Sequence, residues 1–163
     1  MAIRTVGSGK TYSTIAAALA AANDDDTIQI YEGTYNENNL SLADSDLVIE
    51  CATGSDGSLE TVLLSGSDWA GSSEYLITTS LARNPTYKNL TFTGYSHVPQ
   101  NPSANRQFQM SGCLVYDCGE DTGQTVSIAG AADYTAVLES CKIFSRNGVA
   151  VLGAANNIIV NNC

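Results

Sequence analysis

This sequence is short of positive charge, proline, histidine and long apolar runs. Seven Lys and Arg stand against seventeen Asp and Glu, a net charge of −10. Affinity for phosphate backbones comes from basic side chains displacing counterions, so nucleic acid is excluded as a partner, and an anionic membrane surface with it. No stretch of about 18 apolar residues is present to span a bilayer. The opening, MAIRTVGSGK, lacks an apolar segment behind a basic end, so no secretory signal is expected and the chain is expected to be made in a cytoplasm. One histidine, His97, and five cysteines with no Cys-x-x-Cys pair fit neither a zinc site nor a disulfide framework. No cofactor is implied.

Helix signal is scarce too, and its one occurrence organises the chain. Ile3 to Val6 reads as a first strand, and Tyr12 to Ala22 as a small Ala-rich helix. Ser13 or Thr14 is its N-cap, and Ile15, Leu19 and Ala22 share a face. Gly7-Ser8-Gly9-Lys10-Thr11 suggests a phosphate loop, but the full signature needs a Gly five residues before Gly9, where Arg4 stands. A plain turn is the expectation. Asp24-Asp25-Asp26 is read as a solvated corner in preference to a calcium ligand set.

What is abundant is short apolar runs broken by Gly, Asn, Asp and Ser. At 163 residues and 44% hydrophobic, the chain is one domain able to bury a core. Thr27 to Tyr31 alternates as a strand. Gly33 to Glu37 reads as a corner. Leu47 to Cys51 is a second strand, with Leu47 and Ile49 set 19 residues after Ile28 and Ile30. Val62 to Leu64 and Tyr75 to Thr78 are shorter ones. YKNLTFTG, MSGCLVYD, LESCKIFS and VNNC then align as a recurring strand. Leu90, Cys113, Cys141 and Cys163 share a column at spacings of 23, 28 and 22 residues, and Phe92, Val115 and Ile143 share the next. A period of that size marks a β-solenoid, whose turns bury their faces on one another. The fold class expected is all-β, a short parallel β-helix with an N-terminal capping α-helix. Residues 1–26 form the strand and cap, and residues 27–163 about six rungs. The column cysteines are expected inside as a thiol ladder, and Cys118, off the column, is expected to be accessible. Asn156-Asn157 and Asn161-Asn162 fit corners near the left-handed conformation.

VGSGKTYSTIAAALAAAN followed by TIQIYEGTYNE resembles the opening of pectinesterases and the wider pectate-lyase-like right-handed parallel β-helix proteins. KNLTFTG and ESCKIFSRNGVAV are similar to later rungs. The resemblance implies a right-handed coil. Pectinesterases place one catalytic Asp in a Gln-Asp-Thr turn and the nucleophilic Asp in a Val-Asp-Phe turn one rung later. Glu120-Asp121-Thr122 stands at the first turn, so the resemblance implies Asp121 as a general acid. At the second, Asn147-Gly148-Val149 puts Gly148 where the nucleophile belongs, and ester chemistry is not expected without it.

Three functions remain in view. The first is a structural virion protein, a bacteriophage capsid decoration (cement) or tail-spike-like subunit without catalysis. It would associate as a homotrimer, with capsid or tail proteins, or both, through an apolar last rung, Ile158, Ile159 and Val160. The second is a carbohydrate-active enzyme on acidic polysaccharide, with Asp117, Glu120, Asp121 and Arg146 along one face. The third is a carbohydrate-binding adhesin with Trp69, Tyr75 and Tyr95 as exposed sugar platforms.

Overall fold

The computed structural model describes residues 1–42, 46–54, 57–58, 60–66, 76–78, 84–95, 98, 107–118, 135–145 and 157–163. The chain opens with β1 (Ile3–Val6) and α1 (Ile15–Ala20), followed by β2 (Thr27–Ile30), β3 (Gly33–Tyr35) and β4 (Leu40–Ser41). Then come β5 (Val48–Cys51), β6 (Val62–Ser65), β7 (Ile77–Thr78), β8 (Thr86–Lys88) and β9 (Thr91–Thr93). The last strands are β10 (Gln107–Ser111), β11 (Leu114–Cys118), β12 (Thr135–Glu139), β13 (Lys142–Ser145) and β14 (Asn157–Asn161).

The strands form a seven-stranded sheet in the order β1-β2-β5-β8-β10-β12-β14, a five-stranded sheet β13-β11-β9-β6-β3 and a pair β4-β7. Every strand pair among the described residues is parallel. From β2 onward, successive strands of each sheet are separated in the chain by strands of the other, so the backbone winds as a coil. The fold is an all-β, short parallel β-helix with one capping helix.

Register explains the composition. Arg4, Ile28, Ile49, Tyr87, Met110, Leu138 and Val160 occupy one inward column of the large sheet. Thr5, Gln29, Glu50, Lys88, Ser111, Glu139 and Asn161 occupy the neighbouring outward one. Period-two alternation sends the apolar set to the core and the polar set to water. In the five-stranded sheet Tyr35, Leu64, Phe92, Val115 and Ile143 stack in the same way.

Several sequence expectations change here. Ile49 stacks on Ile28 and Cys51 on Ile30, so the register is two residues longer than the 19-residue alignment. Both offsets keep the same side chains facing in, and only strand pairing separates them. Gly33 to Tyr35, read as part of a corner, is strand β3. The recurring strand is two strands meeting at a corner, as in β8–β9, β10–β11 and β12–β13. At that corner Asn89, Gly112, Ser140 and Asn162 all have positive φ, between 53° and 63°. Each precedes a member of the Leu90–Cys113–Cys141–Cys163 column. A Cβ on Gly112 would stand 2.2 Å from Asn89 Oδ1, so the polar side chain below requires the glycine above.

The helix is shorter than expected because Tyr12 is committed to β1: its N–H donates to Thr5 O and its carbonyl accepts from Gly7 N. Thr14 is the N-cap, its hydroxyl accepting from Ala17 N. Glu37, just beyond β3, accepts from the N–H groups of Ile15 and Ala16 at 2.8 Å each. A carboxylate there satisfies free amides and complements the helix dipole. Ile15, Ala18 and Leu19 face the core.

The first end of the inward column is closed by charge. Arg4 Nε and Nη2 both lie 2.9 Å from Asp26 Oδ2, and Arg4 Nη1 donates to Tyr12 Oη. Asp26 also accepts from the backbone of Ala2 and Asn23. One side chain thus ties together the start of β1, the end of the helix turn and the entry to β2.

Two predictions follow from these contacts. Gly112→Ala should lower unfolding free energy by about 1–3 kcal/mol in urea titration, because it adds a clash to a left-handed residue. Hydrogen bonds from Ala2 and Asn23, then the Arg4 guanidinium, hold the Asp26 carboxyl below the usual carboxylate range. A depressed folded pKa gives stability that is present above the unfolded value, about 3.9, and is lost as pH falls through the folded one. The urea midpoint should therefore drop on acidification below about pH 4, and Asp26→Asn should start lower and flatten that slope.

Candidate functional site

The residues put forward for chemistry lie mostly beyond the described part. Glu120, Asp121, Arg146, Gly148, Trp69 and Tyr75 all fall outside the described residues, as does Asn156. Asp117 is described. It is exposed on β11 at a positive φ of 51°, where the pairing with β13 slips between Tyr116 and Cys118. Its carbonyl accepts from Gly94 N one rung below. The bulge turns Asp117 outward at the corner leading away from β11.

Tyr95, expected as an exposed aromatic, is fully buried, and its hydroxyl donates to Glu37 O at 2.6 Å. Its neighbour Gly94 packs backbone to backbone on Gly66, where added Cβ atoms would meet carbonyl carbon and oxygen. That close approach draws the following ring into the coil. Cys118, expected to be accessible, is also buried, because the bulge returns it to the inward face. Burial pushes its thiol up to about 12, with Asp117 adding to the shift. A reactive role is thereby disfavoured.

The glycine–lysine turn is filled by its own chain. Gly7 N–H donates to Tyr12 O, Lys10 N–H donates to Gly7 O, and Lys10 Nζ sits 3.6 Å from the Tyr31 ring centroid. Of the three consecutive aspartates, Asp26 turns inward to Arg4 and Asp25 takes the left-handed conformation at φ 64°. No group of three metal-ligating side chains occurs among the described residues.

Recesses occur among the described residues at a corner and beside the helix. One, of about 170 Å³, lies at a polar corner between Asp46, Asn84, Pro85, Thr86 and Gln109, with Asn84 Nδ2 donating to Asp46 Oδ1. The other, of about 390 Å³, runs between the outer side of α1 and β4, lined by Ala16, Ala20, Asn38, Asn39, Leu40 and Ser41. Neither gathers an acid and a base. A run of exposed apolar residues lies at β14, where Ile158, Ile159 and Val160 are 43%, 45% and 55% exposed. Ile3 on β1 and Phe144 on β13 are more exposed still, each as a single residue.

No protein-family model matches the sequence, and no curated protein matches it. Among solved structures, the chain is similar to the pectin methylesterase from Aspergillus niger in a penultimately deglycosylated form. The two are 17% identical with a TM-score of 0.43, over 98% of this chain and 75% of that one. The β-helix assignment stands on this chain's own strand register.

Cys51, Cys113, Cys118 and Cys141 are buried free thiols and Cys163 is an exposed one. Brief alkylation of the native protein with iodoacetamide should therefore modify one thiol fast, a reaction lost in Cys163→Ser and retained in Cys118→Ser. A second fast thiol that disappears in Cys118→Ser would contradict the buried placement.

Proposed function

We propose that the chain is a non-catalytic structural subunit that docks through its β14 rung. In its specific form it is a bacteriophage capsid-decoration or tail-spike-like β-helix, resident in the virion and associating as a homotrimer. The observation that carries the reading is the state of β14. Ile158 and Val160 continue the inward columns of Ala136 and Leu138, yet both are exposed, and Ile159 is exposed on the other face. β14 is also the edge of the seven-stranded sheet, with one side of its backbone unpaired in that sheet. An apolar rung with free N–H and C=O groups is a template for a further strand. The subunit's place in the virion follows the analogy with trimeric β-helices of phage particles.

Sedimentation velocity across a range of concentrations tests it. A trimer or larger closed assembly is expected, shifting toward monomer in Val160→Asp, with circular dichroism confirming that the variant stays folded. A stable monomer at every concentration would overturn the reading. Cleavage or de-esterification of a polyuronide, lost in Asp121→Asn, would replace it with the enzymic one.

A further inference from the structure

The corner column of the five-stranded sheet ends in three thiols. Cys113 and Cys141 lie directly before the paired strands β11 and β13, and Cys163 follows β14 at the same position relative to β12. Each Sγ lies near the carbonyl two residues earlier, Ser111, Glu139 and Asn161, so the three side chains take one orientation. Cys163 Sγ is 3.3 Å from the backbone N of Cys141 and 3.6 Å from the carbonyl O of Leu138, so it sits over the corner that carries Cys141. Stacked neighbours on parallel strands have Cα atoms about 4.8 Å apart, inside the roughly 4.4–6.8 Å span of a disulfide. Of the three, only Cys163 is exposed.

We propose that Cys163 and Cys141 form an oxidative modification site that takes a low-molecular-weight disulfide and closes a bond stapling the β14 rung to the coil. The exposed Cys163, as thiolate, attacks one sulfur of a disulfide such as oxidised glutathione. A mixed disulfide forms on Cys163 and one glutathione thiolate leaves. The Cys141 thiolate then attacks the Cys163 sulfur, the Cys141–Cys163 bond forms, and the second glutathione thiolate leaves. The two protein protons go to the two released thiolates, so two protein thiols are oxidised and one glutathione disulfide is reduced.

The neighbouring groups favour this order. The side-chain hydrogen bond with Cys113 comes first in lowering the Cys141 thiol below the usual thiol range, with backbone donors and Cys163 adding, and burial opposes them. The same hydrogen bond and deep burial push Cys113 up, leaving it a poor competitor. The bond would cross-link 141 to 163 and so hold β14, which pairs on one side with β12. This inference does not depend on the assembly reading.

Incubation of the full chain with excess oxidised glutathione at neutral pH, followed by intact mass and non-reducing peptide mapping, tests it. The expected result is a loss of two hydrogens with the Cys141 and Cys163 peptides joined, and slower amide exchange across β14. Cys163→Ser should remove the bond, and Cys141→Ser should instead accumulate one glutathione on Cys163. A wild-type chain that stops at the glutathione adduct, stays reduced, or joins Cys163 to another partner or another chain would overturn the proposal. The wild-type result decides this alone if the Cys141 variant fails to fold.

Discussion

Parallel, in-register stacking is the constraint on which the rest depends. Each side chain sits about 4.8 Å above its counterpart on the strand below, so each position must suit its own neighbour in kind and size. Ile28 under Ile49, and Phe92 under Val115, meet this with shape. Asn89 under Gly112 meets it by pairing a polar side chain with none at all. Corners obey the same rule, and one left-handed residue recurs at the β8–β9, β10–β11 and β12–β13 corners. Low overall charge follows, because a column that repeats one position many times would repeat a buried charge as well.

A coil built this way has two ends, and they are finished differently. At the first, Arg4 occupies an inward position whose other members are apolar, and Asp26, Tyr12 and the helix close over it. Removing one partner there would leave a half-buried charge without its counterion. At the β14 end the inward columns finish in Ile158 and Val160, both open to solvent. The two ends of the described structure thus differ, one locked by an ion pair and the other apolar.

Polar chemistry inside the described part serves the coil. Glu37 caps the helix, its carbonyl receives Tyr95, and Asp26 ties three segments at once. Thiols fill the remaining inward corners, where their small size and weak hydrogen bonding suit a crowded column. The same stacking brings Cys163 Sγ to 3.3 Å from the backbone N of Cys141.

The coil, the capping helix and the inward column of Leu90, Cys113 and Cys141 were legible in the sequence, because period-two alternation and a recurring spacing are properties of the chain order itself. The 19-residue alignment of Leu47 and Ile49 was misleading because shifts of two leave the inward face unchanged, and the pairing energy that chooses between them is tertiary. Tyr95 and Cys118 were misplaced because burial at a corner depends on a Gly66–Gly94 contact and a bulge, both formed between rungs. The Arg4–Asp26 lock left no motif, since 22 residues separate partners that only winding brings together. Alternation, repeat and helix are properties of residue order along the chain. Register, buried corners and the exposed face of β14 arise from winding, because they depend on which rung lies above which.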